Sequence, residues 1–271
     1  MIHTLAFIGG GNMARSLIGG LIARGTPASS IAVADPVPAQ LESLQSQFGV
    51  RTSATNLEVA RDADVLILAV KPQEMRSVTT ALASALTSNT LIISVAAGIR
   101  ASDIQRWSGG IPVVRCMPNR PALQGCGMTG LFATDNVSVD HRELAERTLA
   151  AVGATIWIEQ ESHMDVVTAV SGSGPAYFFL LIEMLEQAGI KLGLSAEVSH
   201  RLAVETAYGS GLMARETAEP ASVLRQQVTS KGGTTAAALD VLEAHKVRDI
   251  FAAAIQAAAQ RSAQLAGEFG D

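Results

Sequence analysis

A glycine-rich turn near the start of the chain most constrains its fold. The apolar run 5–8 leads directly into the sequence GGGNMA, in which Gly9, Gly11 and Ala14 form the spacing GxGxxA. In a strand–turn–helix unit, the first glycine permits a tight turn and the second lets a pyrophosphate approach the backbone. The third small residue lets helix and strand pack closely, and free N–H groups at the helix start bind the anion. The turn therefore predicts a dinucleotide site; a glycine-rich turn without a ligand is the alternative.

The first half of the chain alternates short apolar runs with helical patterns. The predicted strands are 5–8, 31–34, 65–70, 91–95, 113–116, 130–133 and 155–158, and the predicted helices are 12–24, 37–48, 73–86 and 139–152. Alternating strands and helices form a doubly wound, mostly parallel sheet. We therefore predict an α/β chain with an N-terminal Rossmann-type domain over residues 1–160.

The second half shows only helical patterns. They run over 162–170, 174–191, 196–216, 220–228, 234–244 and 246–266, which predicts an all-helical domain over residues 161–271. Segment 176–190 is apolar almost all round and is predicted to be a central, buried helix. Helices this apolar need partners on several sides, so the domain is also a candidate for oligomerisation. Because residues 171–175 interrupt the apolar stretch 166–182, we predict no membrane span.

Composition and charge exclude several classes of protein. Apolar residues make up 48% of the 271 residues, which excludes a disordered chain. The net charge is −5 and no Lys/Arg cluster occurs, so no nucleic-acid partner is expected. Cys116 and Cys126 have neither metal-ligand nor disulfide spacing, which predicts reduced thiols in the cytoplasm and no metal site. The N-terminal residues show no targeting pattern.

The carboxyl ends of the predicted strands carry further candidate residues. Asp35 ends the second strand, where an acidic residue accepts hydrogen bonds from ribose hydroxyls and favours NADH. The alternative is that Asp35 caps the turn before Pro36. Lys71 follows the next strand, either as a cofactor contact or as a solvated lysine. Cys116 is more typical of a small core residue than of a nucleophile.

Two segments rich in Gly, Ser and Thr lie in the helical half, SGSGPAY at 171–177 and VTSKGGTT at 228–235. The second leads into a helix, where backbone N–H groups bind an anion such as a substrate carboxylate. An ordinary helix–helix turn with a threonine N-cap explains the same residues, and both interpretations stay open on this pattern. The histidines show no catalytic or metal-ligand spacing. The reaction class that fits this sequence best is therefore hydride transfer, which needs few acid or base side chains.

Taken together, six motifs resemble the pyrroline-5-carboxylate reductase family, in the family's order and almost end to end. They are GGGNMA (9–14), AVKP (69–72), SVAAG (94–98), RCMPN (115–119), SGSGPAY (171–177) and VTSKGGTT (228–235). The resemblance implies NAD(P)H-dependent reduction of the C=N bond of 1-pyrroline-5-carboxylate to L-proline, the last step of proline biosynthesis. It also implies a homodimer with interleaved helical domains, or a decamer of five dimers. The active site would then lie between the nucleotide domain of one subunit and helices of its neighbour.

The motifs and the resemblance together define the expected site residues. Expected cofactor contacts are Gly9, Gly11, Asn12, Met13, Asp35, Asn56, Ala69, Val70, Lys71, Pro72, Ala96 and Gly98. Expected substrate contacts are Val228, Gly232, Gly233, Thr234 and Thr235. The resemblance implies that the Thr235 hydroxyl lies beside the imine nitrogen and acts as the catalytic group.

Two residues depart from the family pattern. Lys231 stands where many members carry proline, which changes loop stiffness but not the backbone donors. Asp35 stands where many members carry Ser, Asn or Thr beside a basic residue, so the choice between NADPH and NADH stays open. Two other functions remain as alternatives. One is a dehydrogenase of small hydroxy acids using Lys191 or His200, and the other is a nucleotide-binding regulatory protein without turnover.

Overall fold

The computed structural model describes residues 3–270, which form one eight-stranded sheet and a set of helices. The strands are β1 (Leu5–Ile8), β2 (Ile31–Ala34), β3 (Arg51–Ser53), β4 (Val65–Leu68), β5 (Leu91–Ser94), β6 (Val113–Met117), β7 (Gly127–Ala133) and β8 (Gly153–Trp157). The α-helices of the first half are α1 (Asn12–Ala23), α2 (Pro38–Phe48), α3 (Asn56–Ala60), α4 (Pro72–Leu82), α5 (Ala101–Trp107) and α6 (Val139–Ala150). Those of the second half are α7 (His163–Val167), α8 (Gly174–Lys191), α9 (Ala196–Glu216), α10 (Ala221–Gln227), α11 (Thr234–Ala244) and α12 (Val247–Gly270).

The sheet has the strand order β3-β2-β1-β4-β5-β6-β7-β8. All neighbouring strands are parallel except β6 and β7, which are antiparallel. The order reverses on the two sides of β1, where Leu5 pairs with both Ile31 and Val65. A reversal of this kind opens a crevice at the carboxyl ends of β1 and β4, where ligands bind in doubly wound sheets. The predicted doubly wound, mostly parallel sheet is confirmed.

Apolar side chains on both faces of the sheet hold this half together. Leu5 and Phe7 pack on one face with α1, α2 and α6, while Ala6 and Ile8 pack on the other with α3, α4 and α5. Every residue of β1, β2, β4 and β5 is buried. This two-sided burial explains why the strands are apolar runs rather than alternating patterns.

The chain groups into two compact units. The sheet unit contains the residues up to Ser173 together with Ala258 and those after it, and the helical unit contains Gly174–Ala257. Helix α12 therefore ends in the sheet unit, where Phe269 packs against the core and Arg106 donates a hydrogen bond to the Gly270 carbonyl at 2.7 Å. The domain boundary at residue 160 stays a prediction, because contact grouping describes packing and not independent folding.

The helical unit leaves most of its apolar side chains exposed. Helix α8 packs against α9, where Gly189 leaves room for Ser199: a Cβ at Gly189 would lie 2.8 Å from the Ser199 Oγ. Phe178 is nevertheless 66% exposed and Phe179 is 59% exposed. The prediction that 176–190 is buried is therefore wrong for the single chain, because packing against α9 covers only part of the surface of α8.

The 171–175 segment does not break the helical run as expected. Residues Thr168–Gly172 form a π-helical turn between α7 and α8, and a side chain at Gly172 would collide with Met117. By length and composition, the described segment His163–Lys191 could cross a membrane, although the core helix of a helical protein passes the same test. The expectation that residues 171–175 interrupt the helix, which was the reason for predicting no membrane span, is thus wrong. The small residues here continue the helical turns.

Candidate active site

The glycine-rich turn brings together the segments that follow β1 and β4. Gly9 has a φ of +99°, a conformation that other residues rarely adopt, and a Cβ there would lie 2.7 Å from the Ala69 carbonyl oxygen. The Gly9 N–H donates to the Ala34 carbonyl at 2.8 Å, which also fixes the turn against the end of β2. The positive φ requires glycine for a tight turn here, as the sequence predicted, and the close approach of the Ala69 carbonyl is a second reason.

Gly11 differs from Gly9 because it faces open space. A Cβ on Gly11 would meet nothing within 4 Å, and its φ of −69° is ordinary. Gly11 is the N-cap of α1 and offers no side chain to the N–H groups of the first turn. Gly11 and Asn12 are exposed and Met13 is half-buried. An uncapped helix start beneath an open glycine is a fit for the pyrophosphate of a dinucleotide.

Asp35 directs both carboxylate oxygens towards backbone donors. Its Oδ2 accepts a hydrogen bond from the Gly10 N–H at 2.7 Å, and its Oδ1 accepts one from the Val37 N–H at 2.8 Å. Asp35 therefore does cap the turn that contains Pro36. Each carboxylate oxygen can accept a further hydrogen bond, so this capping is compatible with a contact to ribose hydroxyls.

The remaining candidate cofactor residues lie at the same edge of the sheet. Ala69 and Val70 directly follow β4, where the structure ends the strand two residues earlier than expected. Lys71 is the exposed N-cap of α4 and Pro72 is its first residue. The other three also follow strands of this sheet: half-buried Asn56 begins α3 after β3, and buried Ala96 and Gly98 follow β5.

The candidate substrate loop, residues 228–235, connects α10 to α11 in the helical unit. It turns at Gly232, whose φ is +72°, and Gly233 is the N-cap of α11 without a side-chain hydrogen bond. A side chain at Gly233 would collide with the Ser230 Oγ. The alternative of a threonine N-cap is therefore wrong, because the residue at that position is a glycine.

The two threonines of this loop directly follow the N-cap residue Gly233. Thr234 and Thr235 are the first two residues of α11, the former exposed and the latter half-buried, and Val228 is 63% exposed. Because no side chain caps this helix start, its first N–H groups are available to a carboxylate. Thr229 donates to the Arg225 carbonyl at 2.6 Å, which anchors the start of the loop.

Two polar residues of the motif RCMPN, near the carboxyl end of β6, had no predicted role. Arg115 is buried and pairs with Glu161, its Nη1 lying 3.1 Å from Oε1. Asn119 donates from Nδ2 to the Ser171 Oγ at 3.3 Å and accepts from the Met128 N–H at 2.9 Å. The available signal was a single charge inside an otherwise apolar strand, because a buried charge requires partners.

Three other reactive side chains, Cys116, Lys191 and His200, lie in settings that do not suit catalysis. Cys116 is a core residue, as expected, and burial raises the pKa of its thiol far above the usual range, so it stays protonated. Lys191 ends α8 and is exposed. His200 lies 3.2 Å from Glu186 in an exposed pair. Neither residue has the enclosed setting of a general base for hydroxy-acid oxidation.

Two parts of the chain are similar to known families. Residues 161–265 match the family described as pyrroline-5-carboxylate reductase dimerisation, and residues 4–98 match the family described as NADP oxidoreductase, coenzyme F420-dependent. The pyrroline-5-carboxylate reductase of Pseudomonas aeruginosa is 48% identical over 98% of both chains. The structure of the Coxiella burnetii enzyme of the same name covers 98% of this chain and 99% of its own, with 41% identity and a TM-score of 0.94. The Plasmodium falciparum pyrroline carboxylate reductase, solved with NADP bound, covers 97% and 98%, with 30% identity and a TM-score of 0.85.

Proposed function

Because the chain belongs to the pyrroline-5-carboxylate reductase family, we propose that it reduces the C=N bond of 1-pyrroline-5-carboxylate to L-proline with NADPH or NADH. The observation that carries this proposal is the glycine-capped start of α11, whose free N–H groups suit a substrate carboxylate, followed at once by the hydroxyl of Thr235. The reaction is the last step of proline biosynthesis.

The residues of this chain then have separate tasks. Gly9, Gly11 and the first turn of α1 hold the pyrophosphate, and Asp35, Asn56, the segment 69–72, Ala96 and Gly98 surround the rest of the nucleotide. When bound, the reduced nicotinamide supplies the hydride. The backbone of residues 232–234 and the exposed Val228 bind the imine's carboxylate end. The Thr235 hydroxyl orients the imine nitrogen and relays a proton to it from water, so that the hydroxyl itself stays protonated. A protonated imine is already electrophilic, so no strong base is needed.

A nucleotide-oxidation assay tests this function against the two alternatives. We expect NADPH and NADH to be oxidised only when the cyclic imine is added, with L-proline formed in equal amount. Oxidation of a small hydroxy acid by NAD⁺, without imine reduction, would favour the hydroxy-acid dehydrogenase. Nucleotide binding without turnover of either substrate would favour the regulatory protein.

The same proposal includes a homodimer, or a decamer of five such dimers, acting in the cytoplasm. Exposed apolar side chains support association, since α8 and α9 carry Phe178, Leu180, Leu202 and Tyr208 at 54–67% exposure. Monomers rarely leave so large an apolar surface uncovered. The free thiols of Cys116 and Cys126 support a reducing compartment. The proposal includes no binding to nucleic acid, to a membrane or to a metal ion.

Replacing Phe178 with Asp tests the association. A charge in the apolar face of α8 should move the protein from dimer towards monomer or aggregate, because it stays unpaired when that face is covered. Val139→Asp is the control, since Val139 is 70% exposed at the start of α6 in the sheet unit. Sedimentation at micromolar concentration should find a dimer for the unchanged protein and the control. A monomer for the unchanged protein would refute the proposed dimer.

Replacing Asp35 with Ser tests the choice of nucleotide. The carboxylate should repel a 2′-phosphate, so its removal should raise the NADPH/NADH ratio of kcat/KM by about tenfold, equal to about 1.4 kcal/mol. Asp35→Asn separates charge from shape, and should raise the ratio in the same direction. The exposed residue Asp62 provides a charge control as Asp62→Asn. An unchanged ratio would mean that Asp35 only caps its turn.

A further inference from the structure

A buried ionic cluster lies in the sheet unit, outside the proposed substrate loop and nucleotide contacts. The side chain of Arg115 is only 4% exposed and lies 3.1 Å from Glu161 and 3.8 Å from Asp165. The Ser262 hydroxyl donates to Asp165 Oδ1 at 2.7 Å. We call these four residues the Arg115 cluster.

Each member of the Arg115 cluster belongs to a different part of the sheet unit. Arg115 is on β6, Asp165 is on α7, and Ser262 is on the last half of α12. Glu161 also accepts a hydrogen bond from the Ala101 N–H at 2.5 Å, at the first residue of α5. The cluster thus reaches the loop that connects β5 to α5, which contains Ala96 and Gly98.

The end of α12 supports the same loop from a second direction. Gly98 has a φ of +72°, and a Cβ there would lie 3.2 Å from the Leu265 Cβ. Leu265 lies one turn after Ser262, the residue bound to Asp165. The cluster therefore contacts the chain at Ala101, the first residue of α5, and α12 approaches the same loop at Gly98.

Stability alone is a weak reason for such a cluster. Burying ionic groups has a large desolvation cost, and apolar replacements of similar volume are often at least as stable. What apolar side chains lack is direction, because hydrogen bonds and ion pairs fix where their partners lie. A charged group buried beside a binding loop is better explained by the position that it imposes.

We propose that the Arg115 cluster is a positioning device that sets the Ala96–Gly98 loop for the nucleotide, with its four members Arg115, Glu161, Asp165 and Ser262 as positioning residues. The inference rests on the proposed function, in which this loop contacts the nucleotide. It assigns the end of α12 a role in nucleotide binding. It also explains the charge in the middle of an apolar strand.

Ser262→Ala and Arg115→Lys test the proposal, and Gln260→Ala is the control on the same helix, because Gln260 is exposed. Alanine removes the bond to Asp165, while lysine keeps the charge but cannot bridge both carboxylates with a planar fork. We expect each variant to raise the Kd for NADPH by about threefold to tenfold. Without nucleotide, hydrogen exchange should accelerate in a peptide covering residues 96–104. Hydrogen exchange in the peptide that contains β1 should change little, and so should the KM for the imine. The control variant should keep the Kd and the exchange of the unchanged protein.

The double variant distinguishes a connected cluster from separate contacts. If both residues act through Asp165, the rise in Kd for Ser262→Ala with Arg115→Lys should be smaller than the product of the two single rises. A rise equal to that product would contradict the cluster. If the variants lower the Tm but leave the Kd for NADPH and the hydrogen exchange of the loop unchanged, the cluster only stabilises the fold and the proposal is wrong.

Failure of the proposed function leaves a different signature. If the unchanged protein binds NADPH but does not reduce the imine, the function is wrong, while the Kd and exchange of the variants still decide the inference. If the unchanged protein reduces the imine but the variants bind NADPH normally, the inference is wrong and the function stands.

Discussion

Replacing Gly11 with valine should weaken nucleotide binding by about a hundredfold or more while leaving the Tm almost unchanged, a loss of about 2.8 kcal/mol in binding free energy. A Cβ at Gly11 meets no protein atom within 4 Å and the φ of −69° suits valine. The added methyl groups therefore occupy the space above the start of α1 that the pyrophosphate needs. Equilibrium titration with NADPH and NADH, with a thermal melt beside it, measures both quantities.

Gly9→Ala is the contrasting variant. Its Cβ would lie 2.7 Å from the Ala69 carbonyl oxygen at a φ of +99°, so it should lower the Tm as well as the affinity. If Gly11→Val binds both nucleotides normally, the pyrophosphate lies elsewhere and the glycine-rich turn has only a structural role. If both variants lose stability equally, Gly11 is not the open position that the structure shows.

Replacing Thr235 with valine should lower kcat/KM for the imine by about tenfold to a hundredfold. Valine keeps the volume and removes the hydroxyl that is proposed to bind the imine nitrogen as it gains a proton. A neutral hydrogen bond contributes about 0.5–1.5 kcal/mol, and an unpaired buried partner costs about 1–3 kcal/mol. At about 1.4 kcal/mol per decade of rate, these values give the expected range. The loss should fall mainly on kcat, because the interaction strengthens in the transition state.

Thr234→Val is the matched control, since only the backbone of Thr234 has a proposed task. Thr234 is exposed and Thr235 half-buried in the same helical turn. Nucleotide affinity should stay constant in both variants. If Thr234→Val lowers kcat/KM for the imine as much as Thr235→Val does, the assignment of the catalytic hydroxyl to Thr235 is wrong by one residue. If neither variant matters, the imine nitrogen is served by another group.

Local patterns predicted the sheet because its strands are buried on both faces. The runs that became β1 and β2 have the predicted bounds, and the β4 run ends two residues early, at Leu68. The carbonyl of the next residue, Ala69, lies beside Gly9. The strand β3, Arg51–Ser53, was missed because it is a polar edge strand without an apolar run. A short polar edge strand such as β3 is recognised by its pairing with β2, not by its own sequence.

Other features depend on contacts distant in the sequence. Helical periodicity shows that α12 is a helix, but not that its last half packs beside Gly98 in the sheet unit. The apolar character of α8 was read correctly, yet periodicity does not reveal which surface covers it. The partners of Arg115, Glu161 and Asp165, lie 46 and 50 residues away in the sequence. The sequence therefore indicates that a buried arginine needs acidic partners, but not which residues they are.

Hydride transfer to the imine is the central claim, and isotope transfer measures it most directly. The unchanged protein is mixed with 1-pyrroline-5-carboxylate and with NADPH or NADH that carries deuterium at both positions of the nicotinamide C4. Mass spectrometry and NMR then locate the label. We expect one deuterium on the former imine carbon of each L-proline formed, with one nucleotide oxidised per proline. Labelled nucleotide that stays reduced beside unchanged imine, or proline formed without deuterium, would contradict the account.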